Sequence, residues 1–238
     1  MYFLFEINKL FFKSEKWYMI LNEVFEMDLL KREIYSYAVA AVNFYGLIPL
    51  RKLAEIINGY HNTQYQSKDL EAILESYINE ESVVQKVGRL LYQKQIFEDT
   101  NVRDVYEVLK MKPYYIPPTS EEFLKYIQAS YYELPEEFDV LKDFYNRWLL
   151  NEDMAFLMAK DAVMAFNVDC PITDIYEATL ARINDYLKLT NSDFMFDDQS
   201  RNLMIIALIN LNSAIRKISL RGYSANEINQ QKNYDEED

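Results

Sequence analysis

YGLIPLRKLAEIIN (45–58), SKDLEAILESYINEES (67–82) and VVQKVGRLLY (83–92) decide how this chain is read. Pro49 can open a helix, where its missing N–H leaves nothing unpaired. Leu50, Leu53, Ile56 and Ile57 then recur at helical spacing along one face. Gly59 and the polar run HNTQYQ interrupt the pattern. Ser67 is expected to cap a second helix, with Asp69 and Glu71 near its positive end and Leu70, Ile73, Leu74 and Tyr77 facing inward. The third piece fits two patterns. Val83, Val84, Val87, Leu90 and Leu91 suit a helical stripe, yet Gly88 inside a helix costs about 1 kcal/mol. Their β-branched content favours strands, so residues 82–95 are expected to form a hairpin, with a helix as the alternative. Two helices followed by a hairpin is the order of a helix-turn-helix unit that carries a wing.

Upstream, Leu30, Ile34, Tyr37, Ala41 and Phe44 predict a helix capped by Asp28 and ended by Gly46. Residues 1–27 begin MYFLFEINKLFF, which reads as an apolar arm that docks on this chain or on a partner. No basic segment precedes this run, and Glu6 and Lys9 interrupt it, which argues against a signal peptide. A true start at Met19 or Met27 is the alternative.

Downstream, Asn101 can cap a helix bearing Val102, Val105, Val108 and Leu109. In KPYYIPPTSEEF three prolines hold the chain extended, and Thr119 with Glu122 matches a capping box. Pro135 opens a helix expected to bury Phe138, Leu141, Tyr145 and Trp148. The next helix, 152–166, is expected to turn Met154, Leu157, Met158, Ala162 and Phe166 inward, and Pro171 opens another. The last helix is apolar all round from Leu203 to Ile209, which belongs in a core, and Gly222 closes it. The fold class is therefore mainly α: a multi-helix globular protein with a winged-helix-like N-terminal part. Its organisation reads as arm 1–27, winged unit 28–99, helical domain 100–223 joined through a shared Tyr- and Leu-rich core, and acidic disordered tail 224–238.

Composition limits function. The 238 residues carry a formal net charge of −13, which opposes general binding to DNA, RNA or anionic membranes. Four isolated glycines contain neither glycine-rich phosphate-binding pattern. One cysteine, Cys170, and one histidine, His61, are too few for a zinc site within the chain. They suit a reducing, cytoplasmic setting, with Cys170 a structural thiol. No run of apolar residues is long enough for a membrane span. No cofactor, metal or catalytic residue is assigned.

Three sets of side chains remain. Lys86, Arg89 and Lys94 on the wing, with Arg216, Lys217 and Arg221 near the C-terminus, are candidates for partner or anion binding. Arg182, Lys188 and Arg201 are possible additions to the C-terminal group. The acidic pairs Asp139–Asp143, Glu152–Asp153 and Asp197–Asp198 are numerous enough to arise by chance among 38 acidic residues. Tyr114, Tyr115, Tyr131 and Tyr132 are interface candidates, because tyrosine combines an apolar ring with a polar tip.

NFYGLIPLRKLAEIIN from Asn43, KPYYIPPTSEEFLKYIQASYYELPEEFDVLKDF from Lys112 and NSAIRKISLRGYSANEI from Asn212 resemble a known family. They are similar to the helical region that accompanies the SEC-C metal-binding motif in uncharacterised proteins of low-GC Gram-positive bacteria. The resemblance spans about residues 28–228 and implies a helical scaffold, a winged-helix-like front and a bacterial or phage setting. The zinc-ligating motif itself is absent, so its metal chemistry is not implied, and no catalytic residue carries over.

The leading expectation is a non-catalytic interaction protein, regulatory in character, with a protein partner. The first alternative is a DNA-binding regulator of winged-helix type. The second is an acidic inhibitor that occupies the nucleic-acid site of a partner protein. Within Ser67–Glu81, Lys68 stands against Asp69, Glu71, Glu75, Glu80 and Glu81, a poor reading helix for phosphate-bearing DNA.

Overall fold

Short strands interleaved with helices build the front of the molecule. The computed structural model describes residues 29–190 and 196–235. The expected arm 1–27, the Asp28 cap and residues 236–238 of the expected tail lie outside them. Helix α1 (29–45) leads into strand β1 (Leu47–Pro49), helices α2 (Leu50–His61) and α3 (Ser67–Leu74), and strands β2 (Val84–Val87) and β3 (Leu90–Gln93). The sheet is antiparallel in the order β1–β3–β2, with Ile48 opposite Leu91 and Lys86 opposite Leu91 on the other side. This is the winged-helix order, and 82–95 is a hairpin. Gly88, at φ 61°, takes the first position of the two-residue turn, where positive φ matches the twist of the strands. The cap of α3 differs from expectation. Gln66 is the N-cap, in a reciprocal capping box with Asp69, and Ser67 is already helical.

The first core joins α1, α2 and α3 through buried Tyr37, Phe44, Leu53, Ile57 and Leu70, and it continues well past residue 99. After helix α4 (Val102–Leu109), capped by Asn101, the proline segment runs extended across this core. The Tyr45 hydroxyl donates to the Tyr115 carbonyl at 2.6 Å, and that of Tyr60 to the Pro117 carbonyl at 2.7 Å. Helix α5 (Ser120–Leu124), capped by Thr119, then inserts Phe123 into the same core, and Tyr126 follows in a 3-10 turn.

A second core is enclosed by α6 (Glu136–Leu149), α7 (Glu152–Asn167), α8 (Ile172–Leu189) and α9 (Asp198–Ala214), each packed on the other three. The first core is shared between 28–99 and residues 114–131, whereas α6–α9 enclose a cluster of their own. A small third cluster of Leu47, Phe97, Val102 and Ile218 stands beside them. In α7 the buried face is shifted from the expected one. Ala155, Ala159 and Ala162 are buried together with Met158, whereas Met154 and Leu157 face outward. Small side chains allow α7 to approach its neighbours closely, so the alanine stripe wins over the bulkier one. Likewise α9 is not buried all round: Met204, Ala207, Leu208 and Leu211 face the core, while Leu203, Ile206 and Ile209 are exposed.

Two expectations about the C-terminus are corrected. Helix α9 ends at Ala214, so Gly222 does not close it; a loop with a 3-10 turn at Ile218–Leu220 follows. Residues 225–235 are not a disordered tail but helix α10 (Ala225–Asp235). Its start has a physical cause. The Ser224 Oγ accepts from the Glu227 N–H, and the Glu227 carboxylate accepts from the Ser224 N–H.

The C-terminal loop locks onto the front unit at Gly46, which sits at φ 72° and whose Cβ, if present, would lie 2.6 Å from Ile218 Cγ2. Gly46→Ala therefore combines a left-handed backbone penalty with overpacking. It is expected to lower stability by about 3 kcal/mol, read as a fall in the urea midpoint at unchanged slope. An unchanged midpoint would show that the loop shifts freely.

Candidate functional site

Apart from Arg89, the basic residues singled out in the sequence are engaged within the molecule. On the wing, Lys86 Nζ lies 2.9 Å from Glu71 and 3.3 Å from Glu75, both contributed by or next to α3. Their hydrogen bond holds the Glu71 carboxyl below its ordinary range and raises the Lys86 ammonium. Lys94 Nζ donates to the Glu80 carbonyl. Arg89 is exposed at the hairpin tip, and no ion pair holds it among the described residues.

At the C-terminal loop, Arg216 stacks 3.6 Å above the Tyr115 ring and binds Glu133 at 2.6 Å and Glu227 at 2.9 Å. Burial pulls its pKa down, but these two carboxylates outweigh it and leave the guanidinium raised. Lys217 donates to Asn212 and faces Asp169 at 3.6 Å. Arg221 is 1% exposed and packs over Tyr114 at 4.1 Å, and its Nε donates to the Leu109 carbonyl. Its two terminal nitrogens are buried with no hydrogen-bond partner among the described residues, and burial pushes its pKa down to about 10. Arg182 pairs with Asp161, Lys188 with Asp185, and Arg201 with Asp198. Of the expected C-terminal group, Arg216, Lys217 and Arg221 are thus internal ties, whereas Arg182, Lys188 and Arg201 form exposed surface pairs.

The tyrosines divide. Tyr114 and Tyr115 support the two arginines, and Tyr131 packs edge-on against Tyr126 in the first core. Only Tyr132 reaches an open surface feature, the cleft described below. The acidic pairs are also accounted for. Asp197 caps α9 by accepting from Ser200 N, Asp139 pairs with Lys142, and Glu152 and Asp153 occupy the first turn of α7. His61 Nε2 meets the Tyr37 hydroxyl at 2.7 Å in the front unit, while Cys170 packs beside the second core. Among the described residues, no three His, Cys, Asp or Glu side chains gather as a metal site would require.

What sequence reasoning missed is a cleft of ≈ 1050 Å³ between the front unit and the helical bundle. Asn43 from α1, Gln93 at the end of β3, and Gln95 and Ile96 beyond it line one side. Ala129, Ser130 and Tyr132 continue the wall. Met158, Asp161, Met164 and Asn167 from α7 and Asp174, Thr179 and Arg182 from α8 line the other. Gln93, Asn167 and Thr179 are among the few buried polar side chains, at 5%, 7% and 6% exposure. No motif marks this group, because its members lie on elements far apart in sequence. A boundary between packed units is where clefts with converging polar groups usually form.

Compared with known proteins, the chain significantly matches no family model, no curated protein and no solved structure. No single helix among the described residues is long and apolar enough to cross a membrane.

Proposed function

We propose that this chain is a non-catalytic interaction protein, regulatory in character, that binds a partner polypeptide and not nucleic acid. The observation that carries the reading is the contact of Lys86 with Glu71 and Glu75. In a winged-helix unit the third helix and the wing would meet the duplex together, with cations facing phosphates. Here the helix presents carboxylates and uses them to bind the wing lysine. The same surface that repels a phosphate backbone suits a partner surface rich in Lys and Arg, and the charge of −13 acts in the same direction.

A gel shift with duplex DNA at low and at raised salt tests the exclusion. Wild-type protein is expected to give no retarded band even at about 100 µM, the weak end of the range in which non-specific DNA binders bind. The double variant Glu71→Lys/Glu75→Lys is expected to gain weak, salt-sensitive binding. Salt-sensitive binding by the wild type would overturn the reading. Capture of a protein partner from the native cells, insensitive to nuclease, is the matching positive result.

A further inference from the structure

Three carboxamides line the cleft between the front unit and the bundle, and each is tied to the fold at one end only. Asn43 Nδ2 donates to the Tyr126 carbonyl at 2.9 Å, and its buried Oδ1 has no partner among the described residues. Asn167 Nδ2 donates to the Arg216 carbonyl at 2.8 Å, and its Oδ1 accepts no bond from the described residues. Gln93 Oε1 accepts from Ile96 N at 2.8 Å, and its Nε2 donates to none of them. Two acceptors and one donor are thus held in place by backbone contacts with their remaining hydrogen-bonding capacity unused. Asn43 Oδ1 is sealed inside the protein, whereas Asn167 Oδ1 and Gln93 Nε2 keep the accessible surface through which a ligand can pair with them. The anchoring also means that little side-chain freedom is lost on binding.

The chemistry of the missing partner follows from the walls. Asp161 and Arg182 neutralise each other at 2.6 Å, while Asp174 receives only the Thr173 hydroxyl at 3.2 Å. No unpaired cation in the cleft is available for a phosphate or carboxylate, and one carboxylate is available for a cation. Ala129, Ala165 and Ala178 leave the walls shallow enough for a main chain to approach. An extended polypeptide displays unpaired N–H and C=O groups that match carboxamides, whereas a helix has already used its own.

From this we infer that the cleft receives an extended polypeptide segment bearing lysine or arginine. Its main-chain amides meet Gln93 and Asn167, and its cationic side chain meets Asp174. This rests on the reading of the chain as a polypeptide-binding protein and names the class of partner and the place it occupies.

The test uses the full chain and two pools of short, end-blocked random peptides, one with a fixed central Lys-x-Lys and one with Glu-x-Glu. Fluorescence anisotropy reads binding. The lysine pool is expected to bind at least about tenfold more tightly than the glutamate pool. Ala178→Trp fills the cleft from an exposed position of α8. It is expected to weaken the lysine pool about tenfold or more while leaving the thermal midpoint in place.

No binding, equal binding of both pools, or binding indifferent to Ala178→Trp would overturn the inference. Preferential binding of a synthetic peptide of residues 1–27 would make the occupant this chain's own N-terminus and overturn it as well. A captured protein partner that survives Ala178→Trp would leave the interaction reading standing and the cleft assignment refuted. Salt-sensitive DNA binding by the wild type would refute the broader reading independently.

Discussion

Arg216→Ala is expected to destabilise the protein by about 3 kcal/mol and lower its thermal midpoint by roughly 6–12 °C, and Arg216→Lys is expected to recover less than half of that. The guanidinium makes four contacts of different kinds. Nε binds Glu133 at 2.6 Å, Nη1 binds Glu227 at 2.9 Å and the Gly222 carbonyl at 3.0 Å, and the plane lies 3.6 Å from the Tyr115 ring centre. These bring together the segment after α5, the extended proline segment, the C-terminal loop and α10. The side chain is only 16% exposed, so truncation leaves two part-buried carboxylates facing each other without a cation. Lysine restores charge but neither the planar stack nor the fork of donors. Thermal melts of the three proteins check this. Equal midpoints would mean that the ties are surface pairs of the usual small value, which for exposed pairs is about 0–1 kcal/mol.

Arg216 also shows where sequence reading reaches its limit. Its type and its basic neighbours pointed to an open anion site; Glu133 and Glu227, which claim it, lie far from it or in the expected tail. The tail itself was more legible than the reading allowed, because Ser224-x-x-Glu227 is a capping signature that an acidic composition overshadowed. The winged unit was readable because its signals are local. Hydrophobic spacing set α2, and Gly88 among β-branched residues set the hairpin. In α7 the largest apolar side chains suggested the wrong face, since close helix approach is decided by alanines facing neighbouring helices. The cleft had no local signal at all. Asn43, Gln93 and Asn167 look like ordinary polar residues until the fold ties one end of each amide and leaves the other unused.

The protein is expected to unfold in alkali, with stability level up to about pH 9.5 and falling from pH 10 upward. Tyr45, Tyr126 and Tyr145 are 0%, 5% and 0% exposed, and burial raises the pKa of each above its ordinary value, that of Tyr145 to about 12. A tyrosine with a raised folded-state pKa keeps its proton in the fold after the unfolded chain has lost it. Its contribution is therefore fully present below the unfolded value near pH 10 and is lost as pH rises through the folded one. At pH 11 each such tyrosine costs at most about 1.4 kcal/mol, a limit set by the unfolded pKa. Arg221 acts in the opposite sense. Its folded pKa is depressed to about 10, so its buried charge is relieved as pH rises, which returns about 1.4 kcal/mol at pH 11. Burial also raises Tyr37, Tyr60, Tyr115 and Tyr132, so the tyrosines outweigh Arg221 and the net loss is at least about 3 kcal/mol, a large share of the stability of a typical domain. Urea midpoints between pH 8 and pH 11, followed together with near-ultraviolet phenolate absorbance, measure it. The buried phenolates should appear only as the chain unfolds, and Tyr145→Phe should reduce the loss by about 1.4 kcal/mol. A midpoint that stays level to pH 11, with the tyrosines ionising in the folded protein, would show that this aromatic core admits water and charge.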